Sequence, residues 1–212
     1  EIAELDINPL LVDAAGVIAL DARIVVQRQS GQERAARLCI RPYPVELENT
    51  IEHQGVRLTV RPIRPQDEAL LQGFVQHLSP EDIRLRFFSP LRELSHEMAA
   101  RLTQIDYDRD MAFLLIDGNE LLGVGRLSAD PNFDQAEFAL IVASNRQHKG
   151  YGELLLRRVL DYAKSRGIRS VFGVILRENH RMLALAERLG FTRTPGRAGH
   201  GDIRVEKLLG EL

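Results

Sequence analysis

The 212-residue chain has a single cysteine, Cys39, no tryptophan and only 6% aromatic residues. One thiol excludes an intrachain disulfide framework and any multi-cysteine metal cluster. An excess of charge of either sign is also missing. Lys+Arg 28 against Asp+Glu 30 leaves a formal net charge of -2, so no overall basic field exists to hold nucleic acid or an anionic membrane, and any anion site must be local. No apolar run reaches the roughly 20 residues of a membrane span, and no secretory signal opens the chain. These absences point to a reducing, cytoplasmic setting, with neither nucleic acid nor membrane as partner. The six histidines show no ligand spacing, and His96-Glu97 lacks the second His of a zinc helix, so no metal site is expected. What is present, 44% hydrophobic and 27% charged residues, is the balance of a folded chain of one to two domains.

Two apolar, β-branched stretches between Ile2 and Val26, split by Asp13, Ala14, Ala15 and Gly16, predict a hairpin. Glu1, not Met, opens this strand-like run, so the chain reads as a piece of a longer polypeptide. Residues 41–55, with Pro42, Pro44, Asn49 and Gly55 among charges, have linker composition. The main unit is therefore expected over residues 56–212. Val56 to Pro62 alternates as a half-buried strand. Helices follow after Asp67, after Ser79-Pro80 and after Ser95, where Ser and Pro occupy cap and first-turn positions. Met111–Ile116 and Leu121–Leu127 flank Asp117-Gly118-Asn119, a hairpin signal, and a third strand runs from Ala136 to Ala143.

The pattern then changes to glycine turn, helix, strand, helix. Gly152, Leu155, Leu156, Val159 and Ala163 define one face of an amphipathic helix ending at Gly167. Val171 to Leu176 is apolar on both faces apart from Gly173, as suits a central, parallel strand. Asn179 starts a last helix ending at Gly190, and strands are expected around the loop 195–199.

The segment Gln147-His148-Lys149-Gly150-Tyr151-Gly152 joins the third strand to the long helix. Two glycines let the backbone curl around a ligand, and the helix start adds unpaired N–H groups and a partial positive charge, which suits phosphate. The Lys-Ser/Thr pair of a P-loop is missing, and the turn is too short for a dinucleotide fingerprint.

The run Ala136 to Ala143, then Gln147-x-x-Gly150-x-Gly152, the strand from Val171, Asn179 and Leu189-Gly190-Phe191 resembles the GNAT superfamily of acyl-CoA-dependent N-acyltransferases over about residues 56 to 209. The resemblance implies an α/β (α+β) fold: a mixed, mostly antiparallel sheet flanked by helices. It implies acetyl-CoA as co-substrate, with its pyrophosphate on the backbone of Gln147, His148, Lys149, Gly150, Tyr151, Gly152 and Glu153. The pantetheine arm would pair along Ile141, Val142 and Ala143, with Asn179 near the thiol. Glu137 matches the general base of protein-acetylating members, and a backbone N–H near Val142 would steady the oxyanion. A base is needed because a lysine amine, with a reference pKa near 10.4, is mostly ammonium at neutral pH. The alternating strand also suits Glu137 as a plain solvent-facing residue beside inward Phe138 and Leu140. The tyrosine that many members place seven residues after the Asn is Ala186 here, which leaves Tyr151, Ser144 or water as the acid.

Ser79 to Leu91, with Arg61 to Asp67 and Leu102 to Tyr107, is similar to the Pat-type bacterial protein lysine acetyltransferases. Those place an ADP-forming acyl-CoA-synthetase-like region ahead of the GNAT domain, and Glu4 to Leu10 resembles the end of its ATP-grasp part. The implied layout is an ATP-grasp remnant over 1–40, a linker over 41–55 and the GNAT domain over 56–212. The implied partners are a protein substrate, an AMP-forming acyl-CoA synthetase, and the rest of a parent chain. Two rivals stand beside this reading. A small-amine acetyltransferase would need a deep acidic acceptor pocket near Glu137, and an acyl-CoA sensor would bind without turnover.

Overall fold

The computed structural model describes residues 2–26, 41–194 and 201–210, so Cys39, His200 and the loop 195–199 lie outside the described residues. The chain divides into two compact units, Glu1–Arg41 and Pro42–Leu212. No helix among the described residues is long and apolar enough to cross a membrane.

The first unit is a nested hairpin. β1 (Ile2–Ile7) pairs antiparallel with β4 (Ala22–Val26), and β2 (Leu10–Asp13) with β3 (Gly16–Ala19). The Asp13 carboxylate accepts from the amides of Ala15 and Gly16 at 2.7 and 3.0 Å, which closes the tip. Breaks at Asn8-Pro9 and Leu20-Asp21 divide each predicted arm into two strands. A single layer has no opposite face to bury apolar groups against, and Leu5, Leu11, Val17 and Ile18 stay exposed.

The second unit is built on an eight-stranded sheet in the order β11-β12-β10-β9-β8-β7-β6-β5. Its strands are β5 (Asn49–His53), β6 (Val56–Pro62), β7 (Asp110–Asp117), β8 (Glu120–Ala129), β9 (Gln135–Val142), β10 (Ser170–Leu176), β11 (Thr192–Thr194) and β12 (Asp202–Leu208). Residues 41–55, expected as a linker, instead contain a 3-10 turn, Val45–Leu47, and the edge strand β5, paired antiparallel with β6. An edge strand buries little, so its composition stays polar and loop-like.

Among the described residues five helices flank the sheet: α1 (Glu68–Gln76), α2 (Pro80–Phe87), α3 (His96–Thr103), α4 (Tyr151–Ser165) and α5 (His180–Arg188). α4 buries Leu155, Leu156, Val159 and Ala163, the face its periodicity predicts, against β8 and β9. The fold is thus the expected mixed, mostly antiparallel sheet flanked by helices.

Among the described residues one pairing is parallel, and it is short. β10 meets β9 only through Ser170, Val171 and Phe172 opposite Gln135, Ala136 and Glu137, and beyond that register the two strands separate. Phe138 fills the base of the split, packing on Phe191 at 5.1 Å between ring centroids. A Cβ on Gly173 would lie 2.4 Å from the Phe138 ring, so glycine there is what lets the ring cross. The split leaves the end of β9 without a partner on one side, and the site opens there.

Candidate active site

Backbone groups alternate sides along a strand. The Ala143 amide donates to the Leu122 carbonyl at 2.8 Å, so the amide of Val142 faces away from β8 into the split. An extended thiol arm can pair with Val142 there, whereas Ala143 has its amide engaged elsewhere. Ile141 and Val142 line a cleft of about 620 Å³ that continues past the split to the start of α4. That volume suits a cofactor-sized ligand.

The helix start is shaped for an anion. α2, α3 and α5 begin under side-chain caps, Ser79, Ser95 and Asn179, which accept from the amides of Asp82, Met98 and Met182. α4 begins on Gly150, at φ 78°, with no side-chain cap. Its first amides, from Tyr151 to Glu153, have no intrahelical acceptor and stay open to phosphate. Gln147, His148, Gly150, Tyr151, Gly152, Glu153 and Asn179 all line the cleft. Lys149 and Ala143 do not, and Asn179 is partly committed, its Oδ1 capping α5 at 3.1 Å.

The loop before α4 is tied to α2 through one carboxylate. Asp82 accepts from Ser79 Oγ at 2.7 Å, Ser144 Oγ at 2.5 Å and Gln147 Nε2 at 2.9 Å. Gln147 Oε1 in turn accepts from Arg181 at 2.7 Å. Burial pushes the Asp82 carboxyl up, but these hydrogen bonds and the nearby Arg181 outweigh it and hold it below the usual carboxylate range. Asp82 stays ionised at neutral pH and fixes Gln147. Ser144 donates its hydroxyl proton into this network and does not line the cleft. Asp82→Ala is expected to raise the KM for acetyl-CoA about fivefold, the worth of roughly 1 kcal/mol of hydrogen bonding, with kcat nearly unchanged. Initial-rate kinetics check this.

Sequence reasoning missed the cationic rim. Arg146, Arg181 and Arg188 line the cleft. Arg146 pairs with Glu120 at 2.6 Å, and Arg188 lies 3.9 Å from Glu153. The seven-residue spacing of Arg181 and Arg188, two turns along α5, was the available signal.

Glu137 lies at the far end of the split. Ala136, Phe138 and Leu140 are buried while Glu137 is exposed, so the strand alternates as the solvent-facing reading expects. The same face is also the wall of a small cavity of about 50 Å³, shared with Leu85, Arg86, Phe88, Val174, Asn179 and Met182. The two readings of Glu137 are therefore compatible. Arg86 lines both this cavity and the cleft. Burial lowers its pKa, while Glu137 acts in the opposite sense. On the same face Arg126 donates to the Leu102 carbonyl, and its pKa is pushed down to about 10 by burial and then by Arg86. Among the described residues, Glu137 is the one carboxylate lining the small cavity. Ala186 is fully buried in the core and does not line the cleft. No cluster of three or more His, Cys, Asp or Glu that could hold a metal occurs among the described residues.

Comparison with known proteins matches the same architecture. The model of the Acetyltransferase (GNAT) domain matches residues 57–192. Acetyltransferase PA5475 of Pseudomonas aeruginosa is 31% identical over 141 residues, covering 65% of this chain and 76% of that protein. Among solved structures, the GNAT domain of S. lividans PAT superposes with a TM-score of 0.74 at 28% identity, covering 79% of this chain and 100% of that one. The spermidine N-acetyltransferase of Vibrio cholerae in complex with CoA and spermine gives a TM-score of 0.59 at 22% identity, over 71% and 95%. By its fold, its motif and the extent of these matches, the chain belongs to the GNAT acetyltransferases.

Proposed function

We propose that this acetyl-CoA-dependent acetyltransferase acts on the ε-amine of a lysine in a protein, an AMP-forming acyl-CoA synthetase, with Glu137 as general base. The observation behind the choice is the acceptor cavity: about 50 Å³, with one carboxylate, Glu137, and one arginine, Arg86. A polyamine carries several cations and calls for several carboxylates in a deep pocket. A cavity with balanced charge suits a single amine presented from a larger surface. The likeness to the GNAT domain of S. lividans PAT supports the same choice. The spermidine enzyme, at 22% identity, shares the fold and lends no argument on substrate.

In this reading the open amides at the start of α4 and Gln147 hold the pyrophosphate, and Val142 pairs with the thiol arm. Glu137 takes the proton from the lysine ammonium, directly or through water, and frees the amine to attack the thioester carbonyl. The Val142 amide, already aimed into the split, stabilises the oxyanion that forms. Acetyl-CoA supplies the activated acyl group; as the oxyanion collapses the C–S bond breaks, and the CoA thiolate leaves and takes a proton from Tyr151 or water.

The test is CoA release from acetyl-CoA with an AMP-forming acyl-CoA synthetase, with spermidine or with no acceptor, followed by mass spectrometry of the synthetase. Turnover with one lysine acetylated is expected. Turnover with spermidine alone would move the assignment to small amines, and binding without any turnover would make the domain a sensor.

A further inference from the structure

The last residue of the unexpected edge strand reaches the cofactor loop. His53 Nε2 lies 2.6 Å from the carbonyl of Lys149, a contact that spans 96 residues of chain. A carbonyl only accepts, so Nε2 bears the proton and donates. The same ring packs on Tyr151 at 5.5 Å between centroids, and a Cβ built on Gly150 would meet its Cε1 and Nε2 at 3.2 Å. One imidazole thus touches three successive residues at the start of α4.

That segment needs outside support. His148, at φ 64°, and Gly150, at φ 78°, both take left-handed backbone, which for a residue other than glycine costs about 1 kcal/mol or more and persists only where the surroundings impose it. Asp82 restrains the loop at Gln147, and His53 restrains it at Lys149. The peptide between Lys149 and Gly150 immediately precedes the open amides of α4, so its orientation sets where they point.

We propose that His53 is a positioning residue for the pyrophosphate end of coenzyme A: it does not touch the ligand but clamps the Lys149 carbonyl, and with it the phosphate-binding turn. Consistent with this, His53 is not among the residues lining the cleft.

Calorimetric titration with CoA tests the proposal and involves no acceptor, so its result is independent of the acceptor and base assignments. His53→Ala is expected to weaken CoA binding roughly five- to tenfold, the worth of one hydrogen bond and its packing. His53→Gln, whose amide can donate to the same carbonyl, should bind within about threefold of the native chain. His53→Phe keeps a ring but no donor and should remain as weak as the alanine variant. A merely structural role would lower the melting temperature in all three without this ordering. Native affinity in His53→Ala, or recovery by Phe and not by Gln, would overturn the clamp. If the alanine variant does not fold, the Gln and Phe pair still decides.

Discussion

Glu137→Gln is expected to lower kcat about 10²- to 10⁴-fold, the usual contribution of a positioned base, while CoA binding stays within about twofold of native. The substitution keeps the shape and polarity of the side chain and removes only its ability to take a proton. Glu137 lines the small cavity and not the cleft, so affinity and rate should separate. The pH dependence of the variant is the sharper measurement. With a lysine reference pKa near 10.4, only about one amine in 2,500 is neutral at pH 7, and that fraction grows tenfold per pH unit up to the pKa. A variant without its base must rely on this population, so its rate should rise about tenfold per unit between roughly pH 7 and 9. A variant as fast as the native chain at pH 7 would remove Glu137 as the base.

Much of the scaffold of that site was legible in the sequence, because periodicity is a direct record of one-sided burial. The apolar spacing from Gly152 to Ala163 became α4, with Leu155, Leu156, Val159 and Ala163 on the covered face. The continuous apolar run from Val171 became β10, an interior strand that pairs antiparallel with β12 and, over three residues, parallel with β9. Patterning failed where burial is slight. β5 buries almost nothing, and Pro42 and Pro44 nearby gave it the composition of a connector. In the hairpin, Asn8-Pro9 interrupts an arm whose composition reads as one strand.

For the site, the residues on one continuous stretch were recoverable, and those brought together by topology were not. Gln147 to Glu153 sit in a single turn and helix start. Asp82 to Gln147, a contact across 65 residues, leaves no local trace, and neither does His53 to Lys149. Arg86 lies on α2, and only the fold shows it lining both cavities. Glu137 was visible in the sequence, but alternation alone does not distinguish a plain solvent-facing residue from one that lines a cavity, and on β9 the exposed side does both.

The largest effect on stability is expected at Asp67, far from this chemistry. Asp67 is 7% exposed and receives Arg61 through two bonds, at 2.6 and 2.7 Å, and the Arg64 amide at 2.7 Å. These contacts bind the end of β6 to the turn that starts α1, and the Arg61 side chain is itself only 13% exposed. Asp67→Asn would leave a buried guanidinium facing a neutral amide. Breaking such a pair from one side costs about 3–5 kcal/mol, whereas replacing both partners by apolar residues costs much less. Asp67→Asn should therefore fall well below the native chain in chemical denaturation, and Asp67→Leu combined with Arg61→Met should recover a large part of the loss. The pH dependence has a definite sign. Burial pushes the Asp67 carboxyl up, but the bonds from Arg61 and Arg64 outweigh it and hold it below the usual range. Between that lowered value and the unfolded value near 3.9, the unfolded chain binds more protons than the folded one, so stability falls as pH falls. The contribution is complete above about pH 4 and disappears as acid protonates the folded carboxyl. Asp67→Asn has no such proton to gain, so its denaturation midpoint should fall less steeply than that of the native chain below pH 4. Since Asp67 lines neither cavity, the folded variant should still bind CoA like the native protein.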